Sequence, residues 1–114
     1  MALLTSHTLN GSDGTHAGFI PVCLINCNNS KMLFSSRMDQ GGRLSIEIPP
    51  EKIALDSSYD LVFDLSAYWS EHIQSVGLNV IDEIVFRIRM NDPNGNYHVP
   101  VIFSPNSYTV WKSN

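Results

Sequence analysis

Apolar and polar residues alternate along four stretches of the chain. The apolar positions are Leu44, Ile46 and Ile48, then Tyr59, Leu61, Phe63 and Leu65, then Ile84, Phe86, Ile88 and Met90, then Tyr97, Val99, Val101 and Phe103. A period of two is typical of a β-strand that buries one face and turns the other toward solvent or a partner. Shorter stretches at residues 3–9, 19–27 and 108–111 predict three further strands.

Turn-forming residues separate these strands. They occur at residues 11–14 (Gly-Ser-Asp-Gly), 39–42 (Asp-Gln-Gly-Gly), 92–96 (Asp-Pro-Asn-Gly-Asn) and 104–107 (Ser-Pro-Asn-Ser). The third of these segments joins two long strands, and its composition predicts a hairpin. Seven or so short strands with regular turns predict an all-β sandwich, formed by a single domain over residues 1–114.

Two local features modify this pattern. Residues 67–74 are the one helical candidate, with Ser66 as its predicted N-cap. Pro100 interrupts the strand predicted at residues 97–103, because proline has no backbone N–H to donate. We therefore expect Pro100 at an edge position or a bulge.

Composition and charge exclude several classes of protein. The chain has 114 residues, of which 43% are hydrophobic, so it is not a disordered chain. It carries 7 Lys and Arg against 11 Asp and Glu, a formal net charge of −4, and this argues against a nucleic-acid partner. The apolar runs are too short to span a bilayer, and no signal-peptide pattern is present, so we expect no membrane partner.

The two cysteines, Cys23 and Cys27, indicate the redox environment. On one strand they would lie about 13 Å apart, at roughly 3.3 Å per residue, whereas a disulfide needs Cα atoms within about 7 Å. Thiols that cannot pair suit a reducing compartment, so we expect a cytoplasmic protein. Their spacing lacks the second ligand pair of a zinc site, and we expect no metal.

Three polar residues lie on or beside predicted strands. His7 and His98 fall within strands, and Arg43 follows two glycines at the start of another. His16 falls in a turn region and His72 on the predicted helix. An ordinary surface role would explain each residue alone, and the chain has no nucleophile elbow, P-loop or His-Glu-x-x-His motif. The spacing of these residues alone therefore does not identify a reaction.

The order of residues nevertheless resembles that of a known family. Residues 6–10 (Ser-His-Thr-Leu-Asn), with Gly14, residues 17–18 and residues 21–22, resemble the N-terminal signature of the transthyretin-like family, and residues 97–109 resemble its C-terminal signature. The intervening family segments fall in the expected order, at residues 42–44, 59–68 and 83–86. The resemblance implies a transthyretin-like β-sandwich of seven to eight strands with one short helix. It also implies a homotetramer, a dimer of dimers with sites in a channel between the dimers.

Three positions separate the two main branches of that family. The thyroid-hormone carriers show Lys, Glu and Thr where this chain has His7, Arg43 and His98, whereas the 5-hydroxyisourate hydrolases show His, Arg and His. The resemblance thus implies opening of a cyclic amide by water, with no metal and no cofactor. Imidazole suits a general base because its ordinary pKa lies near neutral pH. Either His98 or His7 would be the base, and Arg43 would supply fixed positive charge.

The C-terminal tail departs from the hydrolase pattern. The hydrolases end in Tyr-Arg-Gly-Ser, a tail that contributes to their active site. The corresponding residues, which we expect to bind substrate, are Trp111, Lys112, Ser113 and Asn114. In addition, His16 replaces a family proline, Asn106 replaces an aromatic residue, and residues 77–80 lack the family's aromatic-proline pair.

These departures leave the substrate open. One alternative is a related enzyme that acts on a different heterocycle in a biosynthetic pathway. Another is a small-molecule binding protein without catalysis, as in the carrier branch. In each case the partner is a small heterocyclic molecule.

Overall fold

The computed structural model describes residues 1–72 and 80–113, and within them eight strands form two four-stranded sheets. The strands are β1 (Ala2–Asn10), β2 (Pro21–Asn26), β3 (Met32–Arg37), β4 (Arg43–Ile48), β5 (Tyr59–Asp64), β6 (Glu83–Ile88), β7 (Asn96–Ser104) and β8 (Ser107–Val110). A 3₁₀ helix covers Pro50–Lys52, and one α-helix, α1, covers Ser66–His72. The predicted all-β sandwich with one short helix is confirmed.

The two sheets have the strand orders β4-β1-β7-β8 and β3-β2-β5-β6. Neighbouring strands are antiparallel except β1 and β7, which run parallel. Alternate residues of each strand face inward, so the core lies between the sheets. The alternation is strict in β1, β2 and β5, which bury every second residue. The largest fully buried side chains include Tyr59, Phe63, Phe103, Leu4, Leu24 and Leu61.

The hairpin predicted at residues 92–96 is wrong, because β6 and β7 belong to different sheets. The chain turns there but crosses from one sheet to the other, since β7 takes a position parallel to β1. The hydroxyl of Tyr97 fixes the crossing: it accepts a hydrogen bond from the Asp92 N–H and donates one to the Asp92 carbonyl, both at 2.8 Å. A tight hairpin does join β7 to β8, where Ser104 pairs with Ser107.

Strand β3 was not predicted. It is an edge strand of its sheet, and its residues are partly exposed on both faces, so apolar and polar positions do not alternate. Its pairing with β2 also contains a register shift between Leu24 and Ile25. The sequence therefore carries no clear period of two in this segment.

Helix α1 begins at Ser66, which is the first helical residue rather than a cap. The carboxylate of Asp64 accepts hydrogen bonds from the Ser66 N–H at 3.0 Å and from its hydroxyl at 2.7 Å. The predicted end at Gln74, residues 77–79 and Asn114 lie outside the described residues. In the part of the chain that is described, no helix is long and apolar enough to cross a membrane.

Cys23 and Cys27 are free thiols, as their spacing predicts. Burial is the largest cause that raises the pKa of both thiols, and the neighbouring carboxylates of Glu83 and Asp60 raise them further. A thiol with a raised pKa is a weak nucleophile near neutral pH. Neither cysteine is therefore a candidate for the chemistry below.

Candidate active site

The outer face of the β4-β1-β7-β8 sheet brings His7, Arg43 and His98 together. His7 pairs with Arg43 across β1 and β4, and Thr5, two residues before His7 on the same face, pairs with His98 across β1 and β7. Side chains on directly opposed positions have Cβ atoms about 4.5–5.5 Å apart, and diagonal neighbours remain within reach. His7 and His98 are half-buried and Arg43 is exposed, so none of the three points into the core.

A shallow cavity of about 330 Å³ opens beside these residues. Its lining residues are Thr5, Ser6, Asp39, Arg43, Leu44, Ser45 and His98. The volume is at the lower end of the range for small-molecule pockets. His7 is not in its lining but adjoins it through its register with Arg43.

A tight turn fixes the start of β4 and therefore Arg43. The carboxylate of Asp39 accepts a hydrogen bond from the Arg43 N–H at 2.8 Å, and the Asp39 N–H donates to the Arg43 carbonyl at the same distance. Gly42 adopts a φ of +75°, which an L-residue rarely adopts. A Cβ at this position would lie 2.6 Å from the Thr8 carbonyl oxygen and 2.9 Å from that of Ala17. Only glycine fits this turn.

We expect Gly42→Ala to lower the free energy of unfolding by about 2–4 kcal/mol, since it combines left-handed strain with backbone overlap. Urea unfolding measures the effect. The matched control is Gly41→Ala, where an added Cβ would meet only the Asp39 carboxylate, at 3.5 Å. If the two variants were equally stable, the close approach at Gly42 would not constrain the turn.

The ring of His98 is oriented by a threonine. Its Nδ1 lies 2.8 Å from the Thr5 hydroxyl oxygen. If the Nδ1–H of a neutral ring donates to that oxygen, Nε2 keeps its lone pair and can accept a proton. Thr5 was not predicted as a site residue, although its position two residues before His7 on the same strand face is visible in the sequence.

A residue that was not predicted to belong to the site, His16, contacts the ring of His7. Nε2 of His7 lies 2.8 Å from Nδ1 of His16, and the two rings stack with centroids 4.8 Å apart at an interplanar angle of 28°. Burial is the main cause that lowers the pKa of His7, and the positive charge of Arg43 and the neighbouring imidazoles of His16 and His98 lower it further. His7 is therefore neutral at neutral pH. The one sequence signal for His16 was its replacement of the family proline.

The C-terminal tail follows the edge of β7 toward His98. Ser113 donates its N–H to the His98 carbonyl at 2.7 Å, in the same register as β8. Pro100 lies in an inner strand, but its nitrogen faces Trp111 just beyond the end of β8. Their pair therefore keeps only the long Trp111 N–H bond to the Pro100 carbonyl, at 3.4 Å.

The tail residues predicted to bind substrate are thus placed differently. Trp111 and Ser113 occupy register positions on the face that carries His98. Lys112 falls between them, opposite Val99, where alternation directs side chains to the other side of the sheet. Asn114 lies outside the described residues.

The donor set of this face suits proton transfer and recognition of a polar planar molecule. Two imidazoles can exchange protons, and a guanidinium can stabilise negative charge on an oxygen. Across residues 1–72 and 80–113, no three His, Cys, Asp or Glu side chains converge in a group that could hold a metal ion.

Two packed four-stranded sheets of mostly antiparallel strands, with His7, Arg43 and His98 on one outer face, define a small β-sandwich protein with a polar site on its surface. The chain belongs to the HIUase/transthyretin family, whose sequence model matches residues 4–113. A mouse protein named 5-hydroxyisourate hydrolase is 30% identical, over 96% of this chain and 92% of its own length. A Deinococcus radiodurans protein of the same name is 22% identical, over 96% of this chain and 93% of its own length.

Solved structures share the fold. The 5-hydroxyisourate hydrolase of Klebsiella pneumoniae superposes with a TM-score of 0.79, at 18% identity and full coverage of both chains. A sea bream transthyretin solved with thyroxine gives a TM-score of 0.77 at 20% identity, covering 96% of this chain and 93% of its own. An (S)-allantoin synthase gives 0.84 at 21% identity, but this chain, 99% covered, spans only 44% of that longer one.

Proposed function

We propose that the protein hydrolyses 5-hydroxyisourate, opening its cyclic amide in urate degradation without a metal or a cofactor. The observation that carries this proposal is the register that sets His7 opposite Arg43 and Thr5 opposite His98 on one exposed sheet face. The relatives named 5-hydroxyisourate hydrolase support it. Residues His7, Arg43 and His98 are the proposed catalytic residues.

In this proposal His98 is the general base. Thr5 holds its Nδ1, which leaves Nε2 free for water, whereas Nε2 of His7 is already engaged by His16. His98 takes a proton as the water oxygen attacks the ring carbonyl carbon, and the carbonyl electron pair moves onto its oxygen. When the tetrahedral intermediate collapses, the C–N bond breaks and the same imidazole returns the proton to the leaving nitrogen.

Arg43 and His7 act on the oxygen atoms of the ring. Arg43 places its guanidinium where negative charge develops on the attacked carbonyl oxygen, and preorganised donors of this kind can raise the rate by about 10²–10³. His7 stays neutral because burial and the charge of Arg43 lower its pKa. It therefore donates a hydrogen bond to a second polar atom of the ring without repelling Arg43.

The proposed assembly is a homotetramer, a dimer of dimers. The cavity beside Arg43 and His98 is open on one side in the single chain, and the outer sheet face is half-exposed along β1. A second copy laid across this face would turn the groove into an enclosed channel and exclude water from the developing charge. Trp111, 39% exposed on the tail, would then line the channel with Ser113, whereas the register directs Lys112 to the other side of the sheet. Asn114 remains a proposed substrate contact.

The test is an ultraviolet assay with freshly prepared 5-hydroxyisourate, run beside light scattering on the same sample. We expect decay well above the spontaneous rate and a mass of four copies. Turnover of another lactam or ureide, with no effect on 5-hydroxyisourate, would instead identify an enzyme acting on a different heterocycle. The changed tail, with Trp111 and Lys112 in place of Tyr and Arg, favours that second candidate. Binding without turnover would identify a carrier-like protein.

A further inference from the structure

A second cavity, of about 320 Å³, lies away from the sheet face that carries the candidate site. The loop between β1 and β2, the turn after β3 and helix α1 surround it, and none of its described lining residues also lines the groove beside Arg43. Its volume is at the lower end of the range for small-molecule pockets. The side chains that line it include His16, Phe19, Arg37, Gln40, Glu71 and His72.

The loop wall of this cavity is fixed to the turn after β3. Phe19 donates its N–H to the Asp39 carbonyl at 3.1 Å. A Cβ on Gly18 would lie 2.6 Å from the Gln40 carbonyl oxygen, so the two backbone segments meet with no room for a side chain between them. The cavity is therefore part of the packed structure and not a gap beside a loosely held loop.

Phe19 places an aromatic ring at the cavity from an unfavourable backbone conformation. Its φ is +63°, in the left-handed region that a bulky residue rarely adopts. The side chain is 57% exposed, so burial in the core does not offset this strain. Strained residues that persist in folded proteins are concentrated at binding and catalytic sites. The conformation of Phe19 therefore points to a role at the cavity.

Charged and amide groups on the cavity wall have no partner within the chain that would neutralise them. The one ion pair among the described residues joins Arg87 to Asp60, so Arg37 and Glu71 each lack a charged partner there. The guanidinium of Arg37 and the amide of Gln40 offer N–H donors, whereas the carboxylate of Glu71 offers acceptors. A ligand that satisfies this wall must both accept and donate hydrogen bonds.

His72 adds a second acceptor whose protonation pattern follows from its contacts. Its Nδ1 lies 2.7 Å from the Tyr68 carbonyl oxygen. A carbonyl oxygen can only accept, so Nδ1 carries the proton, and Nε2 of the neutral ring is an acceptor. The ring also stacks on Tyr68, with centroids 3.9 Å apart at an interplanar angle of 9°, which holds it in place at the cavity.

We propose that this cavity is a second small-molecule site, which binds a flat ring with alternating carbonyl and N–H groups, a cyclic ureide or imide. Its carbonyl oxygens accept hydrogen bonds from Arg37 and Gln40, and its N–H groups donate to Glu71 and His72. Its face packs on the ring of Phe19. A carboxylate ligand would satisfy Arg37 but would be repelled by Glu71. The proposal does not rest on the proposed function, because binding is measured without turnover.

The test is a titration of the full-length, ¹⁵N-labelled protein with uracil, followed by backbone amide shifts. We expect saturable shifts at Gly18, Phe19 and Glu71, with a Kd of about 1 mM, as suits so small a ring. 1,3-Dimethyluracil has the same ring without an N–H group, and we expect it to bind at least about 10-fold more weakly. Equal binding of the two rings, or no saturable shift with uracil, would overturn the proposal. Shifts confined to Ser45 would place the ring in the groove beside Arg43 and would also overturn it.

Benzoate tests the competing ligand class. It has a flat ring and a carboxylate but no N–H group, so we expect it to bind more weakly than uracil. Tighter binding of benzoate would show that the cavity selects an anion, and the proposed ligand class would then be wrong.

Glu71→Gln tests the acceptor on helix α1. It keeps the size of an exposed side chain but removes the charge, and we expect the Kd for uracil to rise about 10-fold. The matched control is Glu51→Gln, since Glu51 is an exposed carboxylate on the 3₁₀ helix and does not line this cavity. This control leaves the Kd unchanged. If the two variants bind uracil equally well, Glu71 does not contact the ring and the proposal fails.

Phe19→Asn separates ligand binding from stability. Asparagine tolerates the left-handed conformation better than phenylalanine but has no aromatic face. We therefore expect uracil to bind about 10-fold more weakly, while the free energy of unfolding does not fall. A variant that is less stable and binds uracil normally would show that Phe19 serves the fold and not a ligand, which would overturn the proposal.

Discussion

Replacing His98 with Asn is expected to lower kcat for 5-hydroxyisourate by about 10²–10⁴-fold, the range for loss of a general base. The imidazole is the proposed acceptor of the water proton, and an amide cannot take it. An Asn side chain can still hydrogen-bond the Thr5 hydroxyl, and the residue lies on the outer face of the sheet. The free energy of unfolding should therefore change by less than about 1 kcal/mol. Stopped-flow ultraviolet kinetics and urea unfolding measure the two quantities.

Thr5→Val tests the orientation of the His98 ring rather than its presence. It keeps the shape of the side chain but removes the oxygen 2.8 Å from Nδ1 of His98, so the ring loses the partner that orients it. We expect a loss in kcat of about 10-fold, much smaller than for His98→Asn. If His98→Asn keeps more than a tenth of the original kcat, a group other than His98 is the general base.

The alternation of buried and exposed residues along the strands shows how much of the fold the sequence predicts. Residues 59–65 have a strict period of two, and their apolar set is completely buried in β5 and just beyond it. Edge strand β3 has no such period because both of its faces are partly exposed. The turn at residues 92–96 was recognisable, but which strands it connects depends on the parallel pairing of β1 with β7. That pairing joins residues about ninety positions apart, and no local pattern specifies it.

The candidate site also combines residues that the sequence predicts with contacts that it does not predict. His7, Arg43 and His98 could be selected from the sequence because the family resemblance names those positions, and the structure brings them to one sheet face. The contact between His7 and His16 could not, since it depends on how a loop folds back over β1. The placement of Lys112 likewise follows from the register between the tail and β7, where one step along the chain changes the face of the sheet.

The exposed position of these residues has a consequence for catalysis. In a single chain Arg43 is exposed, so solvent screens its charge and weakens its effect on an oxyanion. The same face carries apolar groups that a partner would cover, among them Ile102 at 39% exposure. Assembly and catalysis are therefore linked in the proposed tetramer: closing the groove strengthens the electrostatic contribution of the same arginine.

Arg43→Gln is expected to lower kcat by about 10²–10³-fold, the loss typical of a removed oxyanion donor. The same substitution also changes the pKa of His7. The positive charge of Arg43 helps to hold the pKa of His7 below its ordinary value, so its removal raises that pKa. The neutral form of His7 is then lost at a higher pH than in the unsubstituted protein, and its NMR titration midpoint moves upward.

Arg43→Lys separates the two effects of the guanidinium. Lysine keeps the positive charge and so maintains the lowered pKa of His7, but it lacks the planar pair of donors, so kcat still falls. The backbone bond from residue 43 to the Asp39 carboxylate is retained in both variants, and the turn is therefore unchanged. The NMR titration midpoint of His7 could shift upward as much in Arg43→Lys as in Arg43→Gln. That result would show that the positive charge at residue 43 is not what lowers the pKa of His7. A near-normal kcat in Arg43→Gln would show that Arg43 has no role in catalysis.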